Sequence, residues 1–392
     1  MTYKKINNVI LTVIYTLLLH FSSYAGAVND GNNYILGRNL IIVVMIIYLS
    51  FVNNRIPYLI NNKYYNIWYL FSLVVAISVF PTNFSEGIKL LCVPVIYFII
   101  MQYDSMILMN FSMAMVINGI WILVHSIQMR GIYIELYYRG IFSNSNTFGA
   151  TMASFFVGAC CMFLYSKTAK GRVLSTVLAL AAFLFQSLSF CRAALLTSVV
   201  VFTIVFFSVA KRHKNTKKLI MGYVAILLSL AMFIAFKGNE ILSFISSHVL
   251  KWSGESGGDL SSSRVERWIE VFKNPTWFGT ELEMHPHNNF IFVLYAYGII
   301  AGLLFAGLVF YVLFKYIYIN KMLDNIEKYI VYIYIVTFIS IGMFEESLGF
   351  TGREWMVIGF VGLGYAMNKL KQAKQKVEFQ KLTKGRHRYG YK

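Results

Sequence analysis

Long apolar stretches alternate with short polar links along most of the chain. Stretches long enough to cross a hydrocarbon core of about 30 Å occur at 6–24, 38–52, 66–80, 88–102, 105–129, 146–165, 173–190, 193–210, 219–236, 298–318, 329–344 and 355–368. The pattern predicts an all-α, polytopic integral membrane protein with about twelve transmembrane helices, forming a single membrane domain over residues 1–392. Composition agrees, because 58% hydrophobic and 13% charged residues leave too little polar surface for a soluble domain.

The distribution of Lys and Arg predicts how the helices are oriented. Basic residues near span ends are retained in the cytoplasm, and a cytoplasmic N-terminus places 24 of the 35 Lys and Arg residues on that side. Both termini are then cytoplasmic, and residues 369–392 form a basic tail near anionic lipid. The start of the chain also resembles a signal peptide with the small-residue sequence SSYAGA, but we interpret it as an uncleaved first span. No nucleic-acid partner is expected, since no soluble domain supports one.

Arginine is concentrated on the predicted outer side. That side carries seven Arg and four Lys, whereas the inner side carries five Arg and nineteen Lys. The planar guanidinium group binds phosphate or carboxylate through two parallel hydrogen bonds, so the excess indicates anion binding. The alternative is that these arginines pair with the outer carboxylates.

One long polar segment interrupts the apolar pattern. Residues 237–297 are predicted to form an outer loop, and loops of this length are usually functional or disordered. The loop carries apolar residues at the spacing of one helix face: Val265, Trp268, Ile269 and Phe272. This spacing predicts a short amphipathic helix that ends at Pro275. Its apolar stripe is expected to lie on the membrane surface or on the outer ends of the spans, which would hold Arg264 and Arg267 near the lipid headgroups.

Two histidines follow in the sequence His285-Pro286-His287-Asn288. A short helix is predicted to begin near Asn288, before the longer span that follows Gly298. His287 would then stand at a helix N-terminus, where the helix dipole lowers the pKa of the imidazole and favours its neutral form. A neutral imidazole at the boundary between water and lipid is a competent general base.

A metal site is the competing interpretation of the two histidines, with Glu281 and Glu283 as further ligands. The His-Pro-His spacing lacks the His-x-x-x-His pattern that places two ligands on one helix face. We therefore predict no metal and no other cofactor.

Two further arginines lie at predicted outer turns. Arg139 precedes an Asn-rich turn in which Asn144 or Asn146 can cap the next helix, and an arginine beside a helix N-terminus is suited to anions. An ordinary turn is the alternative. Arg192 lies in a tight turn between two spans, where it either contacts a fixed anionic partner or extends toward the headgroups.

The remaining charged candidates lie at other span ends. Four residues before the last span are expected on the outer surface, as mutual salt bridges first and as a substrate-contacting rim second: Glu345, Glu346, Arg353 and Glu354. His20 and His125 lie toward the outer ends of their spans and are interpreted as core or headgroup-level residues rather than ligands.

Four short motifs, in the expected order, resemble those of the O-antigen polymerase/ligase superfamily, which includes bacterial polysaccharide polymerases and O-antigen ligases. They are Arg139-Gly140 with FSNSNTF, Arg192 with Leu196, Arg264 with Trp268 and Gly279, and His287-Asn288 with nine residues to Gly298. The sequence departs from the family pattern at three positions: Cys191, Thr280 and Ala301.

The resemblance implies a GT-C-like helical fold and a metal-independent, inverting glycosyltransferase of the bacterial inner membrane. Its substrate would be an undecaprenyl-diphosphate-linked oligosaccharide at the outer face of the bilayer, and its partners a flippase and a chain-length regulator. Arg192 and Arg264 would stabilise the departing diphosphate, and His287 would deprotonate the acceptor hydroxyl. Five further residues are expected to bind substrate: Arg139, Arg267, His285, Asn288 and Arg353.

Three functions remain open. A polymerase is favoured, with another lipid-linked repeat unit as the acceptor. An O-antigen ligase would use the same donor and transfer the glycan to lipid A–core. A flippase or transporter of lipid-linked glycan belongs to another class, and such carriers usually place Asp, Glu or His near the membrane midplane. The carboxylates of this chain are all expected in loops or at span ends, which counts against transport.

Overall fold

The computed structural model describes residues 3–24, 31–53, 63–81, 84, 87–88, 106–131, 137–211, 264–280, 285–319, 325–345 and 353–370. Regular secondary structure within these residues is helical throughout, as the apolar pattern predicts. The helices are α1 Tyr3–Tyr24, α2 Gly31–Asn53, α3 Lys63–Val79, α4 Ile107–Arg130, α5 Ser145–Tyr165, α6 Ala169–Leu188, α7 Arg192–Ala210, α8 Arg264–Lys273, α9 Asn289–Ile319, α10 Asn325–Gly342 and α11 over residues 354–370.

Six of these helices are long and apolar enough to cross a membrane, namely α1, α4, α5, α6, α7 and α9. The all-α membrane class is therefore confirmed. Helices α2, α3, α10 and α11 coincide with four further predicted spans. The predicted spans at 88–102 and 219–236 lie outside the described residues, apart from residue 88. The number of twelve spans, a GT-C-like arrangement and the orientation in the membrane stay predictions.

Helix α5 lies at the centre of the described bundle, where it contacts α4, α6, α7 and α10. Small residues let it approach its neighbours closely, as is typical of helix interfaces in membranes. A Cβ atom on Gly158 would lie 2.7 Å from Met115 Cβ and 3.0 Å from the Ser112 carbonyl oxygen of α4. On either side, α1 packs on α4, and α7 packs on α10.

The two ends of the bundle carry different charged groups. One end, called the arginine end from here on, carries Arg192, Arg264, Arg267 and Arg353. It is formed by the last turns of α1, α4, α6 and α10 and the first turns of α5, α7, α9 and α11. At the opposite end, the Glu327 carboxylate accepts a hydrogen bond of 2.6 Å from the Tyr365 hydroxyl and lies 3.4 Å from Lys369 Nζ.

Candidate functional site

Helix α9 begins where the sequence predicts it. The Asn288 side-chain oxygen Oδ1 accepts hydrogen bonds from the backbone N–H groups of Phe290 (2.9 Å) and Ile291 (3.2 Å). Asn288 is therefore the N-cap of α9, and this oxygen is engaged by the helix. His287 precedes it with φ +52°, in the left-handed region that is costly for a residue with a Cβ atom. His287 thus has an unusual backbone conformation.

Two glycines with positive φ allow the loop before α9 to lie close against that helix. This close backbone contact is called the clasp from here on. The helix is interrupted at Gly298, with φ +91°, as predicted, and Gly279 has φ +87°. A Cβ atom on Gly298 would lie 2.1 Å from the Trp277 carbonyl oxygen, and one on Gly279 would lie 2.1 Å from the Ala296 carbonyl oxygen. Two backbone hydrogen bonds of 2.9 and 3.3 Å close this contact. The nine-residue spacing from Asn288 to Gly298 therefore has a folding reason, because only glycine permits this approach.

Helix α8 holds the histidine segment in place. Arg267 Nη1 donates a hydrogen bond of 2.9 Å to the His285 carbonyl oxygen. Trp268 Nε1 donates one of 2.7 Å to the Pro286 carbonyl oxygen. These two consecutive side chains fix the backbone immediately before His287, so the predicted amphipathic helix also acts as a brace.

The predicted amphipathic helix α8 forms, and most of its apolar stripe is exposed on the protein. The helix forms as expected and ends before Pro275, but its buried residue is Val271, which lies off the stripe. Val265, Ile269 and Phe272 are exposed, with 46%, 46% and 59% of their surface accessible among the described residues. Exposure of these three side chains on the protein is compatible with the predicted contact to the membrane surface, and that contact stays a prediction.

Charged side chains from distant parts of the chain converge at the arginine end. Arg264 Nη2 lies 3.9 Å from Glu345 Oε1. Arg192, half-buried at the start of α7, interacts electrostatically with both Arg264 and Glu345. The charges of Arg264 and Arg267 also act on His287. We call Arg192, Arg264, Arg267, His287 and Glu345 the arginine cluster.

The half-buried His287 ring is neutral in this setting. Burial and the positive charges of Arg264, Arg267 and His285 lower the pKa of His287 from its ordinary 6.5 to about 4. This direction agrees with the predicted neutral form. Burial is the largest cause, and the neighbouring charges follow.

A tight turn fixes the position of Arg192. Phe190 has φ +51°, and the Ser189 hydroxyl oxygen accepts a hydrogen bond of 3.3 Å from the Cys191 N–H. A Cβ atom on Gly149 of α5 would lie 2.4 Å from both Cys191 Cβ and Ser189 Oγ. The turn therefore packs directly on α5, and there is no room for a side chain at Gly149.

The other predicted site residues have different settings. Arg353 borders the cluster: its Nη1 donates a hydrogen bond of 3.3 Å to Thr147 Oγ1, and it interacts electrostatically with Glu345. His285 is exposed and adds its charge to those acting on His287. Arg139 is exposed, and within the described part of the chain its guanidinium group has no hydrogen-bond or ion-pair partner. Asn144, as predicted, caps α5 through its side chain.

A small polar cavity of about 30 Å³ lies next to the cluster. Its walls come from the first two turns of α5, the first turn of α11, the end of α1 and residues just after α10 and just before α11: Ser23, Asn146, Thr147, Ala150, Thr151, Glu345, Arg353, Glu354 and Trp355. A cavity of this size and polarity holds roughly one or two water molecules.

Glu354 is not on the surface, contrary to the sequence prediction. Only 3% of its surface is accessible. Its carboxylate oxygens accept hydrogen bonds from Ser23 Oγ (3.0 Å) and Asn118 Nδ2 (3.3 Å). A signal was present in the sequence: residues 355–367 are apolar or small on every side of the helix, which indicates a helix buried within protein. A carboxylate in its first turn is then buried too.

A larger, apolar cavity of about 480 Å³ lies between α5, α6 and α7. Its walls include Phe156, Phe163, Phe183 and Phe202, and all three helices are candidate spans. On α7 the cavity starts at Ser198, six residues after Arg192 and so about 9 Å further along the helix. Its volume is typical of ligand pockets, and its walls suit a hydrocarbon chain.

We predict that the segment with the two histidines binds no metal, and only part of this segment is described. Within the described ranges, no three His, Cys, Asp or Glu side chains converge as a metal site requires. Glu281 and Glu283, the candidate partners of the two histidines, lie outside those ranges.

Comparison with known proteins does not assign the chain. No family model matches it, and no curated protein matches its sequence.

Proposed function

We propose that the chain is a polysaccharide polymerase that joins undecaprenyl-diphosphate-linked oligosaccharide units by metal-independent, inverting glycosyl transfer. The observation that carries the proposal is the convergence of Arg192, Arg264 and His287 at one end of a membrane helix bundle. The motif resemblance supports the same class, and the positive-inside distribution of Lys and Arg supports an outward-facing arginine end.

The donor supplies the charge that the cluster is suited to bind. A lipid-linked sugar carries its own leaving group, a diphosphate at the depth of the headgroups. Arg192 and Arg264 would stabilise the negative charge that develops as the bond between sugar and diphosphate breaks. Glu345, now 3.9 Å from Arg264, would yield its place to the diphosphate. Two fixed guanidinium groups would then act where other transferases use a divalent cation.

Donor binding would also activate the base. In the free protein the cations beside His287 contribute to its pKa of about 4, which makes it a weak proton acceptor. A bound diphosphate neutralises those cations, so the pKa of His287 rises and the ring accepts the proton of the acceptor hydroxyl. The acceptor oxygen then bonds to the sugar carbon as the diphosphate leaves with the electron pair of the broken bond.

The apolar cavity supports a lipid-linked donor over a nucleotide-linked one. It begins about 9 Å along α7 from Arg192 and is lined by four phenylalanines among other apolar residues. A diphosphate held at Arg192 would therefore have a channel for its hydrocarbon chain running down the same helix.

The test is polymer formation in cells that carry His287→Ala. We expect single lipid-linked units to be made and flipped, with polymer lost by at least 100-fold, the smaller end of what a general base contributes. His387→Ala in the predicted cytoplasmic tail serves as the matched control and should support normal polymer. A normal ladder of chain lengths from His287→Ala would remove the proposed base.

The acceptor is identified by lipopolysaccharide gels of a deletion strain. Core carrying a single unit indicates a polymerase, as proposed. Bare core together with accumulated long lipid-linked polymer indicates a ligase, which would use the same donor chemistry at the same residues.

Transport of lipid-linked glycan is a second candidate, favoured by one observation. Glu354 is a buried carboxylate in contact with two helices of the bundle, a feature typical of ion-coupled carriers. Purified protein that joins lipid-linked units in detergent, without any ion gradient, would support the polymerase. Movement of the glycan lipid across vesicle membranes without chain growth would support transport.

A further inference from the structure

A buried carboxyl group links the polar cavity to the interior of the helix bundle. Glu354 lines the cavity and is held on its other side by Ser23 and Asn118. Within the described ranges, no Lys or Arg lies within ion-pair distance of its carboxylate. The guanidinium of the adjacent Arg353 instead contacts Thr147. A buried carboxyl without a cationic partner is costly as the anion, so it must either hold a proton or exchange one.

The polar contacts continue beyond Glu354. Asn118 is fully buried, and its Nδ2 atom donates to Glu354. Its Oδ1 atom accepts no hydrogen bond of standard geometry within the described residues, and the His20 ring lies next to this side chain. The centre of the His20 ring is 4.6 Å from that of Tyr24. The Tyr24 hydroxyl lies 3.0 Å from His125 Nδ1.

We propose that Glu354, Asn118, His20 and His125 form a buried proton-binding network, called the relay from here on, in which Glu354 takes up the proton, Asn118 orients its carboxyl group and the two histidines are titratable neighbours. Uptake adds a proton to a Glu354 carboxylate oxygen and changes no other bond. Chains of acidic and histidine side chains within membrane bundles are typical of proton relays. The cavity has room for roughly one or two waters, which would connect Glu354 to the cluster side, and the two histidines supply further proton-binding groups beyond it.

The surroundings of the relay make a purely structural role a poor explanation. A hydrogen-bonding role alone does not require an acid, and burying an acid without a cationic partner is costly. The charged and titratable groups that face Glu354 and its partners are few among the described residues: Arg353, Glu345, His20, Tyr24 and His125. Arg353 is the cation in this set, and it interacts with Glu345.

The relay also has a consequence for donor binding, and this step rests on the proposed function. An ionised Glu354 beside Arg353 and Glu345 opposes the approach of a diphosphate to the arginine cluster. Protonation removes that negative charge, so diphosphate binding and proton binding favour each other. Such coupling is reciprocal, because each ligand changes the affinity of the other by the same factor.

The first test measures the proton directly and needs no substrate. Purified full-length protein in lipid nanodiscs is titrated while infrared spectra record the carbonyl band of protonated carboxylic acids. We expect one such band at neutral pH that is absent in Glu354→Gln and retained in Glu327→Gln, the control at the opposite end of the bundle. A spectrum of Glu354→Gln identical to that of the original protein would overturn the relay.

A second measurement covers the case in which Glu354→Gln does not fold. His125→Gln leaves the carboxyl group in place and changes the far end of the relay. We expect the carboxylic acid band to shift its titration in this variant. An unchanged titration would show that the histidines are not coupled to Glu354 and would overturn the relay as drawn.

The third test separates the relay from the proposed function, with inorganic pyrophosphate as the probe. Between acidic and alkaline pH, the affinity of the original protein for pyrophosphate should change by a factor about five times larger than that of Glu354→Gln. A factor of this size is within the usual range of coupling between sites. Equal pH dependence would refute the coupling. If pyrophosphate does not bind, the proposed donor site fails instead, while the infrared result still decides the relay.

Discussion

The pKa of His287 gives the sharpest check on the geometry of the arginine cluster. Burial and three neighbouring cations lower this pKa to about 4. At pH 6 a group with that pKa is about 1% protonated, whereas a histidine with the ordinary value would be about three quarters protonated. Replacing Arg264 by Gln removes one of the cations while leaving the burial. We expect the pKa of His287 to rise by about one unit, which makes the protonated fraction at pH 6 about tenfold larger.

The assay is nuclear magnetic resonance of protein labelled at its histidine rings. The His287 signal is assigned by its absence in His287→Gln, and its chemical shift is followed from acid to neutral pH. Arg353→Gln is the matched control, because Arg353 is an arginine at the same end of the bundle whose charge is not among those acting on His287. This control should leave the titration unchanged.

Two results would refute the reasoning. One is a His287 signal that titrates near 6.5 in the original protein, which would mean that the ring is solvated and distant from the cations. The other is an identical titration in Arg264→Gln and in the original protein, which would mean that the charge of Arg264 does not act on the His287 ring.

The same pKa predicts how stability depends on pH. The folded-state pKa of about 4 lies below the ordinary 6.5, so the unfolded chain binds more protons between these values. The contribution of His287 to stability is therefore complete above about pH 6.5 and is lost as pH falls toward 4. His287→Gln should weaken the dependence of the unfolding temperature on pH within that window, and an unchanged dependence would contradict the assignment.

Three further substitutions test the packing around the site. Gly298→Ala should lower the unfolding temperature by several degrees, because a Cβ atom there would lie 2.1 Å from a carbonyl oxygen; Gly307→Ala, with open space around it, should not, and equal losses would refute the clasp. Trp268→Phe removes the 2.7 Å hydrogen bond and should lower the free energy of unfolding, measured with denaturant in detergent, by about 1 kcal/mol. An unchanged free energy of unfolding would contradict the bracing role of Trp268. The double variant that exchanges Arg264 and Glu345 should have a higher unfolding temperature than either single variant, Arg264→Glu or Glu345→Arg, because the ion pair is restored. It should not form polymer, and recovery of polymer would show that the position of the cation is unimportant.

Local features of the site were predictable because their causes are local. The spacing of apolar residues predicted α8, and the glycine at position 298 predicted the interruption of α9. Asn288 and Asn144 lie where a helix begins, and a short side chain that accepts backbone hydrogen bonds is favoured there. Each of these features depends on a few neighbouring residues, so the sequence alone carried the information.

Features that depend on the packing of distant segments were harder to predict. The sequence gives no measure of how near Arg192 lies to Arg264, since 71 residues separate them and part of that interval lies outside the described ranges. Helix α8 is held to the histidine segment through Trp268, whose ring nitrogen donates to a carbonyl oxygen 18 residues away. Glu354 was assigned to the surface because its neighbours in sequence are charged, although the helix that follows it is buried on all sides.

The motif residues divide into two groups once their contacts are known, and this division determines how much the family resemblance can support. Gly279 and Gly298 are explained by a close backbone contact, Asn288 by a helix cap, and Trp268 by a brace. These four residues would be needed by any protein that folds this loop in this way, whatever its reaction. Three other motif residues are Arg192, Arg264 and His287, members of the arginine cluster whose side chains are charged or titratable. In the proposed transfer from a diphosphate, the two guanidinium groups would stabilise the leaving group and the imidazole would act as the base. The chemical proposal therefore rests on these three residues, and the titration of His287 in Arg264→Gln tests their proximity without assuming any substrate.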